Sequence, residues 1–182
     1  MSGVAGIFMD RDGVINRPPP PELRYITRPE DFYLQPGIAE SIRLFNERNL
    51  PVAVVTNQKA IAIGRLTPSN LKAIHERMKH LLAEEGAFVQ DIQFCPHQES
   101  DHCTCRKPRP GMLQVAAARL HIDTRQSWII GDQGRDLEAG RAVGCHTLLV
   151  GSAPVKADLA DVQIPSTAGL PDWIRENISH FQ

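Results

Sequence analysis

The chain has 182 residues, 23% of them charged, and a formal net charge of -1. That balance gives no electrostatic basis for binding nucleic acid or an anionic membrane, and no run approaches the roughly 20 apolar residues of a membrane-spanning helix. The length favours one domain, 1–182, with a sizeable core. Charges at Asp10, Arg11 and Asp12 do not suit a signal peptide, so a cytoplasmic protein is expected.

The apolar run Val4–Met9 predicts a buried strand. It ends in Asp10-Arg11-Asp12-Gly13, where two aspartates at i, i+2 turn toward one pocket and the glycine permits a sharp bend. Two carboxylates so close repel unless a cation or a proton lies between them, which points to Mg²⁺ chemistry with one carboxylate as nucleophile. A plain polar strand-to-loop turn is the competing reading. Pro18–Pro21 cannot continue a helix or a central strand and reads as a stiff surface loop.

A helix is predicted at about 37–49 from the apolar face of Ile38, Ile42, Leu44 and Phe45. The strand Pro51–Thr56 follows and leads into Thr56-Asn57-Gln58. A hydroxyl, an amide and backbone N–H groups there suit phosphate oxygens, and equally suit an Asx-type turn. Thr67-Pro68 reads as an N-cap with proline in the first turn, opening a helix at about 67–86.

The strand Ile92–Cys95 runs into a cysteine-rich loop, about 95–107. Three of the four cysteines fall within eleven residues. Cys95-Pro96-His97 and Cys103-Thr104-Cys105 make a C-x-H/C-x-C set, three thiolates and an imidazole suited to closed tetrahedral Zn²⁺. His102 is a competing ligand, and Cys145 reads as a small buried apolar residue. No protein ligand position stays open for water, so the ion is expected to fold the loop rather than catalyse. Lys107, just beyond, could neutralise phosphate charge. Arg106 could grip a substrate oxygen bidentately, with Arg65 the next choice, and Arg109 reads as a solvated cation.

A helix is predicted at about 110–120, then a strand, Ser127–Gly131, that delivers Asp132 to its end, with Asp136 four residues on. Asp10, Asp132 and the Asp12 carbonyl would hold Mg²⁺ with room for phosphate and water. Asp136 either adds a water-mediated contact or caps the helix at about 134–143. His146–Val150 is the last predicted strand, 152–166 a meander, and a final helix is expected near 171–180. Strands alternating with helices argue an α/β fold with a mainly parallel sheet, whose ligands bind at the carboxyl ends of the strands. The candidates Asp10, Asp12, Thr56, Asn57 and Asp132 all lie at or just past the ends of predicted strands.

In this order, D-R-D-G-V-I-N, T-N-Q, C-P-H…C-x-C-R-K-P-x-P-G-M-L and G-D-x-x-x-D resemble the haloacid dehalogenase superfamily of phosphatases, in its branch of histidinol and heptose-bisphosphate phosphatases. The resemblance covers roughly 4–150. It implies a Rossmann-like, three-layer parallel sheet of about five or six strands without a separate cap. It also implies aspartyl-phosphate chemistry with Asp10 as nucleophile and Asp12 as general acid and base. Thr56, Asn57 and Lys107 would bind the phosphoryl group, and the substrate would be a phosphorylated small molecule, a sugar first and histidinol phosphate second. A catalytically idle relative serving as a binding module is the different-class alternative. The chain departs from the heptose pattern at Lys59, Ile63 and Gln133, and in its short gap between His97 and Cys103. With no coiled-coil pattern, a monomer is expected.

Overall fold

The computed structural model describes residues 3–19, 22–156 and 158–177. Six parallel strands form one sheet: β1 (Ile7–Met9), β2 (Val52–Asn57), β3 (Asp91–Cys95), β4 (Trp128–Gly131), β5 (His146–Val150) and β6 (Val162–Ile164), in the order β3-β2-β1-β4-β5-β6. The helices α1 (Ile38–Asn46), α2 (Pro68–Glu84), α3 (Gly111–Leu120), α4 (Gly134–Arg141) and α5 (Leu170–Glu176) complete the alternation.

The period of two along each strand sorts the core into two halves. Ile7 and Met9, Val52 and Val54, and Ile130 pack on the face covered by α1, α2 and α5. Phe8, Ala53 and Val55, and Ile129 pack on the other face against α3 and α4. Strands buried on both faces read as continuous apolar runs, which is what the sequence has. The result is the expected three-layer, Rossmann-like α/β sheet, and among the described residues no connection carries a second sheet or a helical cap. Nor is any described helix long and apolar enough to cross a membrane.

Local chemistry sets the boundaries. Thr67 caps α2 as its residue type predicts, its hydroxyl accepting from the Asn70 N–H at 3.1 Å with Pro68 following. The first strand is shorter than expected. Val4 makes only a single bridge to Ile122 and is 52% exposed, because chain preceding Gly6 runs beside a loop rather than between strands. The stretch at 152–166 is not wholly a meander: Val162–Ile164 pairs with Leu148–Val150 as the sixth strand, too short for periodicity to reveal. Pro20 and Pro21 of the proline run, and residues 178–180 of the expected last helix, lie outside the described residues.

Register fixes where the site lies. Met9 is opposite both Val54 and Ile130, so Asp10, Thr56 and Asp132 emerge together at the carboxyl edge. The chain steps outward in one direction from β1 to β3 and in the other from β4 to β6, so the gap between β1 and β4 is the topological switch point. Leu148, central on β5 and fully buried, tests the core away from that edge. Leu148→Ala should destabilise the fold by about 2–5 kcal/mol in chemical denaturation; a loss near zero would mean that β5 is not packed as described.

Candidate active site

The chain after β1 winds tightly. Ile15 and Asn16 N–H groups both donate to the Arg11 carbonyl, and Gly13 N–H donates to the Asn16 carbonyl at 2.9 Å. Gly13 sits at φ +95°, and a Cβ there would stand 2.3 Å from Asp132 Oδ2. Glycine is required both by the turn and by the approach of the β4 carboxylate.

That approach assembles an acidic corner. One carboxylate oxygen from each of Asp10, Asp132 and Asp136 lies within 4.8 Å of the others. Gly131 makes room, since a Cβ there would meet the Asp136 Cβ at 2.3 Å. Lys107 enters from the loop before α3 and is 2% exposed. Its Nζ lies 2.9 Å from Asp10 Oδ1 and 2.7 Å from Asp136 Oδ1, and donates to the Val55 carbonyl at 2.7 Å. Burial works against the lysine charge, but Asp10 and Asp136 outweigh it and raise Lys107 above the ordinary lysine value. Asp10 itself is pushed up to about 7, by burial first and then by Asp136 and Asp132, with Lys107 opposing. Burial and Asp136 also raise Asp132. Asp132 Oδ1 is a buried oxygen with no hydrogen-bond donor, while its Oδ2 accepts from Gln133 Nε2 at 3.2 Å. Clustered carboxylate oxygens with one orphaned oxygen fit a hard, oxygen-seeking divalent cation.

Asp136 takes the helix-capping position and adds a contact of its own with Lys107. Its Oδ2 accepts from the Gln133 N–H at 3.0 Å, capping α4, while its Oδ1 pairs with Lys107.

Asp12 belongs to a different environment. Arg11 Nη2 donates to both of its oxygens, at 2.9 and 3.0 Å. Asn16 Nδ2 donates to Oδ1 and Gln58 Nε2 to Oδ2, each at 3.0 Å. Burial disfavours its charge, but Arg11 and these donors outweigh that and hold the carboxyl below its ordinary value. Arg11, Asn16 and Gln58 were not singled out from sequence. The only signal was their place inside the D-R-D-G-V-I-N and T-N-Q strings, for nothing local tells that an arginine between two aspartates will be wholly buried.

Thr56 is buried, its Oγ1 accepting from Gln58 Nε2 at 2.9 Å. Asn57 turns to the Lys107 backbone, its Oδ1 accepting from the N–H at 3.0 Å and its Nδ2 donating to the carbonyl at 3.1 Å. It clasps the lysine loop to β2. Arg106 donates to the His97 carbonyl at 3.2 Å and lies 3.6 Å from the Glu99 carboxylate. With His102, Arg109 and Arg135 it lines a cationic cleft of about 410 Å³ that also touches Lys107. A second cleft, about 370 Å³, opens beside Gly13, Asp132 and Gln133. Arg65 lines neither; it borders a third hollow with Tyr25 and Ile63.

The sulfur cluster forms as its spacing predicts. Cys95 Sγ lies 3.0 Å from Cys105 Sγ and 3.6 Å from Cys103 Sγ, and His97 Nδ1 lies 3.3 Å from Cys105 Sγ. Ligand atoms on a tetrahedral thiolate site of bond length about 2.3 Å stand roughly 3.8 Å apart, so the four groups are gathered closely enough to hold one metal ion. His102 is outside this set, and Cys145 is buried alone.

Residues 104–178 match the family model described as HAD-hydrolase-like. The D-glycero-β-D-manno-heptose-1,7-bisphosphate 7-phosphatase of Pseudomonas putida is 40% identical over 144 residues, covering 79% of this chain and 81% of that protein. The Escherichia coli enzyme of the same name is 33% identical, covering 95% of each. The crystal structure of the D,D-heptose 1,7-bisphosphate phosphatase of Bordetella bronchiseptica, complexed with magnesium and phosphate, superimposes with a TM-score of 0.83 at 30% identity, covering 95% of this chain and 99% of that one. With its acidic corner at the switch point of a parallel sheet, this chain belongs to the HAD-like hydrolases, in the family of these heptose-bisphosphate phosphatases.

Proposed function

We propose that the protein is a Mg²⁺-dependent phosphomonoesterase that removes the 7-phosphate of D-glycero-D-manno-heptose 1,7-bisphosphate, in the making of heptose precursors for surface polysaccharide. The observation that carries this reading is Asp10 paired with Lys107 beside the carboxylates of Asp132 and Asp136, with Asp12 two residues on in an environment of opposite electrostatic effect. The activity of the family's relatives supports the substrate. The cationic cleft of Arg106, Arg109 and Arg135 suits the second phosphate of a bisphosphorylated sugar.

Asp10 attacks phosphorus in line. The bond from phosphorus to the sugar oxygen breaks as the aspartyl-phosphate forms, and Asp12 gives its proton to the departing oxygen. Asp12 then takes a proton from water, which attacks the same phosphorus and releases Asp10 and inorganic phosphate. The Arg11 clamp favours Asp12 as the base; the negative charge of the arriving phosphate pushes its carboxyl back toward the protonated form needed for the first step. Lys107 and the Thr56 hydroxyl provide fixed donors for the transferred group's charge. Asn57 acts by holding the Lys107 backbone. Asp10, Asp132 and the Asp12 carbonyl would hold Mg²⁺, with Asp136 behind them; when bound it neutralises the charge that would keep Asp10 and phosphate apart.

Zn²⁺ is the ion assigned to Cys95, His97, Cys103 and Cys105, a soft closed set that leaves no position for water. Its role is to fold the loop that ends at Lys107.

Asp10→Asn should abolish phosphate release while leaving the circular dichroism spectrum unchanged, and wild-type turnover should require Mg²⁺. Substantial activity in clean Asp10→Asn protein would remove Asp10 as nucleophile. Stripping zinc from Cys95, His97, Cys103 and Cys105 with a strong chelator should lower turnover at least about tenfold, because the order of the loop depends on its metal. Unchanged turnover and unchanged loop protection in hydrogen exchange would break the link between that loop and Lys107.

A further inference from the structure

Among the described residues Arg11 is the largest side chain that is fully buried, and the chemistry described so far uses only one edge of it. That edge, Nε and Nη2, holds Asp12. The other edge reaches away from the acidic corner to α2, where Arg11 Nη1 lies 3.4 Å from Nε2 of His75. His75 is 7% exposed and sits mid-helix, its ring tilted at 57° to that of Phe94 on β3, centroids 6.1 Å apart.

The direction of this contact follows from the groups themselves. A guanidinium has donors and no lone pair, so Nε2 of His75 must be the acceptor and the ring proton must sit on Nδ1. The ring is neutral as well: burial, with Arg11 second, depresses His75 to about 3. A neutral acceptor here satisfies a buried arginine donor without competing with Asp12 for its charge. Without it, Nη1 would be a buried N–H with no acceptor there, and the guanidinium would turn or admit water. Asp12 would then lose the fixed plane against which both of its oxygens are aligned.

We infer that His75 is a positioning residue for the phosphatase reaction: as an Nδ1–H tautomer it anchors Arg11 to α2, and through Arg11 it sets the orientation of the Asp12 carboxylate. The inference rests on reading Asp12 as proton donor and acceptor, but the contact can be tested without that reading. His75 touches neither the acidic corner nor the clefts that flank it, so its loss should alter the proton-transfer step and leave substrate affinity intact.

The test compares His75→Met, which keeps bulk and removes the acceptor, with His75→Gln, whose amide oxygen restores it. Both are measured as purified Mg²⁺-loaded protein on the heptose bisphosphate and on p-nitrophenyl phosphate, per folded molecule by circular dichroism. His75→Met should lower kcat roughly 10- to 100-fold, the scale of a small misplacement of a reacting group, with KM within about twofold. His75→Gln should recover kcat to within about threefold of wild type. A His75→Met kcat equal to wild type overturns the inference, as does an equal loss in both variants that tracks melting temperature, since packing alone would explain it. If the methionine variant does not fold, the imidazole ¹⁵N spectrum of the wild type decides: an Nε2–H tautomer overturns the inference, and a pyridine-type Nε2 at neutral pH together with the glutamine result upholds it. A wild type inactive on every phosphomonoester would sink the proposed function, while the ¹⁵N spectrum would still report on the Arg11 contact.

Discussion

The site depends on one buried ammonium. Lys107 stands between Asp10 and Asp136, all three of them buried, and half-buried Asp132 beside them brings a third carboxylate to the corner. Removing one partner of such a buried pair typically costs about 3–5 kcal/mol, because the survivor's charge stays behind uncompensated. In the proposed reaction the same cation that makes the corner tolerable to the fold also meets the phosphoryl group. Stability and the proposed chemistry therefore rest on a single side chain.

That side chain is brought in by an irregular loop, which makes the loop's own order decisive. Asn57 holds the Lys107 backbone at both its N–H and its carbonyl, tying it to the end of β2. Two residues before Lys107, Cys105 joins the cluster with Cys95, His97 and Cys103. A lysine on an unsupported loop would lose its place to conformational entropy. Clamped from a strand end and from a metal-type cluster, it needs no lid to hold it.

The two aspartates of the first motif show how environment divides labour within three residues. Asp10 is raised by burial and then by the carboxylates it points into, while Asp12 points at Arg11, Asn16 and Gln58 and is lowered. Opposed surroundings of this kind set the protonation of two identical side chains apart, as the proposed roles of nucleophile and proton carrier require. The tight turn at Gly13 makes the division, since it keeps the chain from continuing as a strand with both carboxylates on one face.

Much of this was legible in one dimension. Continuous apolar runs meant strands buried on both faces, and those of β1, β2 and β4 ended in Asp10, in Thr56 and Asn57, and in Asp132. The four metal-type ligands were visible because their spacing is short enough for local chain geometry to gather them. Asp10, Asp12 and Asp132 were visible because strand ends in parallel sheets converge. What a short window could not show was any pairing across the sheet. That Arg11 would be fully buried against His75, that Asn57 would grip a backbone fifty residues away rather than face the pocket, and that Asp136 would serve Lys107 as well as its own helix are outcomes of register. So is the sixth strand, three residues whose pattern means nothing until β5 lies beside them. The sequence by itself determined which groups are candidates for the chemistry, because that is a matter of residue type at strand ends. Only the tertiary structure decided which charges neutralise one another, because that depends on distances between segments that the chain alone leaves free.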